Sequence, residues 1–139
     1  MLSRDAWLAA GLRTPFTIVD RPFVERNGLD PSTLVAAAIA AQAQWRIDFG
    51  VWGAVALTLG YANLSRDVWL EAGLDPHAPS FTTIMHCSSS VVGAFEAAGM
   101  MRPDRPSLAI LGSVARGHLF AATGARIFSQ AVTGQVVWS

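Results

Sequence analysis

The chain predicts an α/β layered fold with a largely parallel sheet, and three observations carry that prediction. Short runs of strand-forming residues alternate with alanine-rich stretches of helical character, the pattern that βαβ units leave in a sequence. Glycine, proline and asparagine stand at the boundaries of these runs, where they start or stop regular structure. The 139 residues are 52% hydrophobic and 14% charged, which is enough for one core and one domain and too little for two.

Each element can be justified in order. Residues 5–12 (DAWLAAGL) are apolar, read as a strand, and are stopped by Pro15. Residues 17–30 are polar, contain Pro22 and Gly28, and read as a loop. Asp30 followed by Pro31 is a helix start, with aspartate as cap and proline in the first turn. Residues 32–47 are alanine-rich and apolar on nearly all faces, which predicts a buried helix. The apolar run 51–59 lies between Gly50 and Gly60 and predicts a buried strand. Asn63 caps a helix over 64–72 that Gly73 closes.

Residues 80–85 hold Phe81, Thr82, Thr83 and Ile84, good strand formers. Cys87 and three serines follow, then a helix over 91–101 and a proline-rich break at 102–106. Beyond it the pattern predicts a strand at 107–114, a turn at 117–124, a helix at 125–132 and a strand from 135. One short echo runs through this order. Residues 3–12 (SRDAWLAAGL) and 65–74 (SRDVWLEAGL) agree at eight of ten positions. That is too short for a repeat architecture, whose units run to about 20 residues or more. The second copy reads as helix and the first as strand.

Composition narrows the function. Ten acidic residues balance ten basic ones, so no net field recruits nucleic acid or an anionic membrane. All ten cations are arginine, which removes Schiff-base chemistry and the P-loop lysine. The single cysteine excludes a disulfide framework and a Cys-rich zinc site. The apolar runs fall short of the roughly 18 residues a membrane helix needs, and Arg4-Asp5 stands where a signal peptide carries its apolar core. The expectation is a cytoplasmic protein whose charge-poor surface is covered in a larger assembly.

Cys87 falls between an expected strand and an expected helix. Unpaired N–H groups and the helix dipole stabilise a thiolate at such a place, and the small Ser88, Ser89 and Ser90 leave room for a carbonyl. The alternative is a buried, inert cysteine. His86, its neighbour, points to the opposite face of an extended chain and is a poor partner. His77 reads as a solvated loop residue. His118 sits between Gly117 and a further glycine-punctuated turn, where close backbone approach could aim its imidazole as a base. A structural, hydrogen-bonded histidine is the alternative there. The spacing from Gly112 to Gly117 also matches a P-loop, but histidine replaces its lysine and leucine its hydroxyl.

Taken together these motifs resemble the thiolase family of acyl-CoA acyltransferases. Arg13-Thr14-Pro15-Phe16 resembles the family's N-terminal RTP motif. Asn63, Arg66, Leu70, Ala72, Gly73 and Leu74 are similar to its N-x-A-R-x-x-x-L-x-A-G-L helix, and Cys87-Ser88-Ser89 to its C-x-S nucleophile motif. Gly117-His118 with Thr123-Gly124-Ala125-Arg126 resembles the motif that carries the catalytic histidine. The variants are closest to the branch acting in fatty-acid β-oxidation. Residues 1–101 resemble the start of the family's N-terminal domain and 107–139 part of its C-terminal domain, with 102–106 as the junction. The loop domain that holds coenzyme A, the N-E-A-F motif and the second catalytic cysteine have no counterpart here. Leu119 replaces the proline after the histidine, and Leu111 stands at a family glycine.

The resemblance implies a thiolase-like layered fold, a mostly parallel mixed sheet with helices, incomplete relative to the family. It implies Cys87 as nucleophile, His118 as base and oxyanion donor, and Ser88, Ser89 and Gly117 around the oxyanion pocket. No metal or separate cofactor is implied; coenzyme A arrives as the substrate's thioester. Partners would be acyl-CoA and a second subunit, either another copy or a thiolase chain, with no nucleic acid or membrane. Without the second cysteine, Claisen chemistry is expected to be impaired. The alternative is a non-catalytic remnant that pairs with a full-length thiolase.

Overall fold

The computed structural model describes residues 6–15, 28–55, 60–102, 104–105 and 107–114. Their regular elements are α1 (Leu29–Ala40), β1 (Phe49–Ala54), α2 (Leu64–Glu71), β2 (Ser80–Ile84), a 3₁₀ turn (His86–Ser88), α3 (Ser89–Met100) and β3 (Ala109–Val114). The strands form one three-stranded sheet in the order β2-β1-β3, with both pairings parallel. The expected α/β class with a parallel sheet is therefore present.

The connections explain the layers. The chain steps from β1 outward to β2 through α2, then returns past β1 to β3 through α3. Because the direction reverses, two right-handed crossovers require their helices on opposite faces. Side-chain alternation along β1 follows suit. Trp52 and Ala54 pack with α1 and α2 residues Ala36, Leu64, Val68 and Trp69. Phe49 and Val51 pack on the other face with Ala97 of α3. All six residues of β1 are buried, as a central parallel strand covered on both faces must be.

Two indoles shape the first layer. Trp69 lies over Gly50, where an added Cβ would stand 2.5 Å from its ring, and its Nε1 donates to the Asp75 carbonyl at 2.8 Å. Trp52 lies over Gly112, and its Nε1 donates to Ser32 Oγ at 3.1 Å. Ser32 Oγ donates in turn to the Gly28 carbonyl at 2.6 Å. Each buried N–H thus has a partner, without which it would cost about 1–3 kcal/mol.

Several boundaries differ from the sequence expectation. The first strand, expected at 5–12, is not formed: residues 6–15 have no regular structure and Trp7, Leu8 and Leu12 are exposed. Helix α1 begins at Leu29 behind Gly28, so Asp30 lies inside the first turn and is not the cap. Pro31 remains in that turn, where a missing N–H costs nothing. The helix ends at Ala40, not at 47, as Gln42 N donates to Ile39 O and Ala43 N to Ala40 O. Twelve helical residues rise about 18 Å, the length of a six-residue strand, and a longer helix would overrun the sheet. Strand β1 runs from Phe49 to Ala54, so Gly50 is an interior residue kept small by Trp69, and the strand ends short of the expected 59, with Val55 already outside it; residues 56–59 lie outside the described residues.

Other expectations hold. Asn63 caps α2, its side chain accepting from Arg66 N at 3.2 Å. Gly73 follows with φ of 73°, the left-handed conformation that ends helices. The strand at 80–85 is formed over Ser80–Ile84, and the helix expected at 91–101 starts two residues earlier. Residues beyond the 102–106 break return as β3 in the same sheet, fastened by Asp48, which accepts from Leu108 N at 3.0 Å and Arg105 at 3.1 Å. The elements expected at 117–124, 125–132 and from 135 lie outside the described residues.

Candidate functional site

At the C-terminal end of β2 the backbone makes an abrupt change. Met85 is near-extended in φ and His86 takes a φ of 49°, a left-handed conformation that non-glycine residues adopt at a cost of order 1 kcal/mol. The 3₁₀ turn follows, and α3 starts at once. Ser88 N donates to Met85 O at 3.0 Å and closes the turn. Cys87 sits inside it, with a free, exposed thiol. The alternative of a buried cysteine does not hold. Among the described residues, no hydrogen bond engages the Cys87 backbone N–H.

Ser89 holds this turn from beneath. Its hydroxyl accepts from Met85 N at 2.9 Å and lies 2.8 Å from both the Ala54 and His86 carbonyls, to which it donates. The residue is 2% exposed. Ser89 therefore ties the end of β1 to the turn that carries Cys87. Ser88 is exposed beside Cys87. A Cβ at Gly53 would lie 2.7 Å from Ser89 Cβ, so the start of α3 rests directly on β1. Sequence reasoning assigned Ser89 to the oxyanion pocket and missed this tie. The signal available was the glycine at 53 beneath a small polar residue.

The position has a topological meaning. The loop after β1 leaves toward α2 on one face, and the turn after β2 leaves toward α3 on the other. Cys87 thus lies at the carboxyl end of the sheet, after β2, whereas the switch-point crevice of an open α/β sheet with this strand order lies between β1 and β3.

His118 and Gly117, the proposed base and its neighbour, lie outside the described residues. His86 and His77 are both exposed, the latter donating its backbone N–H to Asp75 Oδ1 at 2.9 Å. That bond, with Arg46 beside it, holds the Asp75 carboxyl below its ordinary range. No group of three or more His, Cys, Asp or Glu that could hold a metal occurs among the described residues. No helix described is long and apolar enough to cross a membrane. A cleft of about 250 Å³ is lined by Trp45, Arg46, Ile47, Trp69, Leu74 and Asp75, among others. It lies where α1 and α2 end and β1 begins, at the opposite end of the sheet from Cys87.

Compared with known proteins, the chain matches no protein-family model and no curated protein sequence.

Proposed function

We propose that this chain is a thiolase-like acyltransferase of the fatty-acid β-oxidation type, limited to the acylation half of that chemistry. The observation that carries the reading is a row across the sheet. Ala54 is in register with Ile84 on one side and with Val114 on the other. Parallel neighbours stand about 4.8 Å apart, so the ends of β2 and β3 are separated by about 10 Å. Cys87 follows Ile84 by three residues, and His118 follows Val114 by four. Four residues reach as far as about 13 Å, enough to bring the imidazole to the thiol. The order of the sequence motifs supports the same pair.

In this reading His118 takes the Cys87 proton, and Sγ attacks the carbonyl of an acyl-CoA thioester. The Cys87 backbone N–H, which has no described partner, and His118 stabilise the oxyanion. The Sγ–C bond forms, the bond from that carbon to coenzyme A sulfur breaks, and the leaving thiolate takes the proton from the imidazolium. Carbon–carbon bond formation needs a second acid–base group for the attacking carbanion. No second cysteine exists, and such a group supplies about 10²–10⁴ in rate.

The test is the intact mass of the purified chain after incubation with acetyl-CoA, beside a Cys87→Ala control. A single acetyl adduct on the wild type alone is expected. No adduct on protein shown to be folded removes the enzyme reading. It leaves a module that pairs with a full-length thiolase, for which β2 and β3 each offer an open edge among the described residues.

A further inference from the structure

The N-terminal echo has no part in that chemistry. Extended by one residue, it matches positions 2–12 (LSRDAWLAAGL) to 64–74 (LSRDVWLEAGL) at nine of eleven positions. The second copy is α2, and its seat between α1, β1 and β2 is selective. Leu64, Ser65, Val68 and Trp69 are buried in it, Gly50 leaves space for the indole, and Thr82 Oγ1 accepts from Ser65 N at 2.9 Å. The first copy keeps leucine, serine and tryptophan at the matching positions 2, 3 and 7. Yet its Trp7 is 86% exposed where Trp69 is 3% exposed.

Three differences decide between the copies. Val68, 1% exposed, fills space that Ala6 would leave empty. Asn63 caps α2 and also donates to Ser80 O and accepts from Thr82 Oγ1, whereas Met1 stands at that position in the first copy. Glu71 is exposed, so Ala9 in its place costs the seat nothing. The first two favour residues 64–74, as do the Asp75, Pro76 and Ala78 carbonyls that follow them and accept from Trp69 and Arg66; the buried leucine, serine and tryptophan are common to both.

We propose that residues 2–12 are an alternative occupant of the α2 seat, able to form the same helix there in place of residues 64–74 of the same chain. Fifteen residues join position 12 to Gly28 at the start of α1. They span up to about 50 Å, more than the exchange requires, and a short tether raises the local concentration to the millimolar range. In the exchanged state the Asn63 bonds to β2 have no counterpart. β2 leads into the Cys87 turn, so exchange loosens that turn. The inference does not depend on what Cys87 does.

The experiment uses the full chain labelled with 5-fluorotryptophan, with the signals assigned by single Trp→Phe variants. In the wild type, Trp7→Ala changes neither the melting temperature nor the Trp69 signal. In Ala6→Val/Trp69→Ala, α2 has lost its anchor and the first copy has gained the valine. A cooperative melt with the Trp7 fluorine protected from solvent is then expected, and adding Trp7→Ala abolishes that melt. An unfolded Ala6→Val/Trp69→Ala chain, or a folded one with Trp7 still exposed, overturns the proposal. Ala6→Val alone, which leaves α2 intact, should raise the protected Trp7 population about tenfold for two buried methyl groups; saturation-transfer fluorine NMR showing no change also overturns it.

Discussion

Replacing Ser89 with alanine tests whether the Cys87 turn is held in the way described. The hydroxyl has one proton, so at any moment it accepts from Met85 N and donates to either Ala54 O or His86 O. Two bonds are lost, each contributing about 0.5–1.5 kcal/mol net. Met85 is exposed, so its N–H can turn to water. Ala54 is 7% exposed, and its carbonyl cannot easily do so. The expected loss is therefore about 2 kcal/mol, from a total of about 7–20 kcal/mol for a chain of this length. The variant stays folded, and its melting temperature falls by about 4–10 °C. Urea unfolding with an unchanged m-value measures the first quantity. Because the turn is also freed, Cys87 acylation by acetyl-CoA should slow by about tenfold to a hundredfold. A variant as stable as the wild type would refute the bonding account. One that is destabilised but acylated at the wild-type rate would refute the claim that Ser89 positions Cys87.

Gly50→Ala forces a methyl to within 2.5 Å of the Trp69 ring and should cost about 1–3 kcal/mol. Gly50→Ala/Trp69→Phe should lose less than the sum of its single changes in a denaturation cycle. Asn63→Ala removes the α2 cap and two ties to β2 and should cost about 2 kcal/mol, with amides of α2 exchanging faster than those of α3. The Asp104 carboxyl is held down at about 2, chiefly by its hydrogen bonds from Arg102. Its folded value lies below the unfolded one, so the pair stabilises above the ordinary carboxylate range and is lost as pH falls through about 2. Carboxyl ¹³C NMR should show that midpoint, and Arg102→Gln should return it upward.

Local rules served well where a residue's job was local. The α2 boundaries follow from Asn63 and Gly73, and β2 from Phe81 to Ile84, because capping and strand propensity act within a few residues. They failed where a distant residue set the requirement. Gly50 reads as a boundary, yet it is glycine because Trp69 arrives from nineteen positions later. Helix α1 stops at Ala40 because the sheet it covers is six residues deep, which its alanine run cannot signal. Residues 6–12 and α2 share most of their sequence, and only one is helical. Two turns of favourable propensity are too little in water, so the seat decides. At the site, the place of Cys87 between a strand and a helix was legible. The left-handed His86 and the inward Ser89 were not, since both answer to the end of β1.

The Cys87–His118 pairing can be tested without any substrate. The row Ile84–Ala54–Val114 sets the two strand ends about 10 Å apart, and three and four further residues lead to the two positions. A base within hydrogen-bond reach of the thiol keeps the two Cα atoms near enough for backbone movement to reach the roughly 4.4–6.8 Å that a disulfide accepts. His118→Cys should therefore oxidise within the monomer. Cys87 is the sole natural cysteine, so any bridge within one chain joins it to the introduced thiol. Mild oxidation should remove both thiols from titration and lower the intact mass by two hydrogens, with no dimer on a non-reducing gel. A control at Thr123→Cys, five residues further on, should close much more slowly. If His118→Cys retains two free thiols under conditions that oxidise the control, the imidazole does not face Cys87. Acyl transfer by this pair would then be untenable, whatever the order of the motifs.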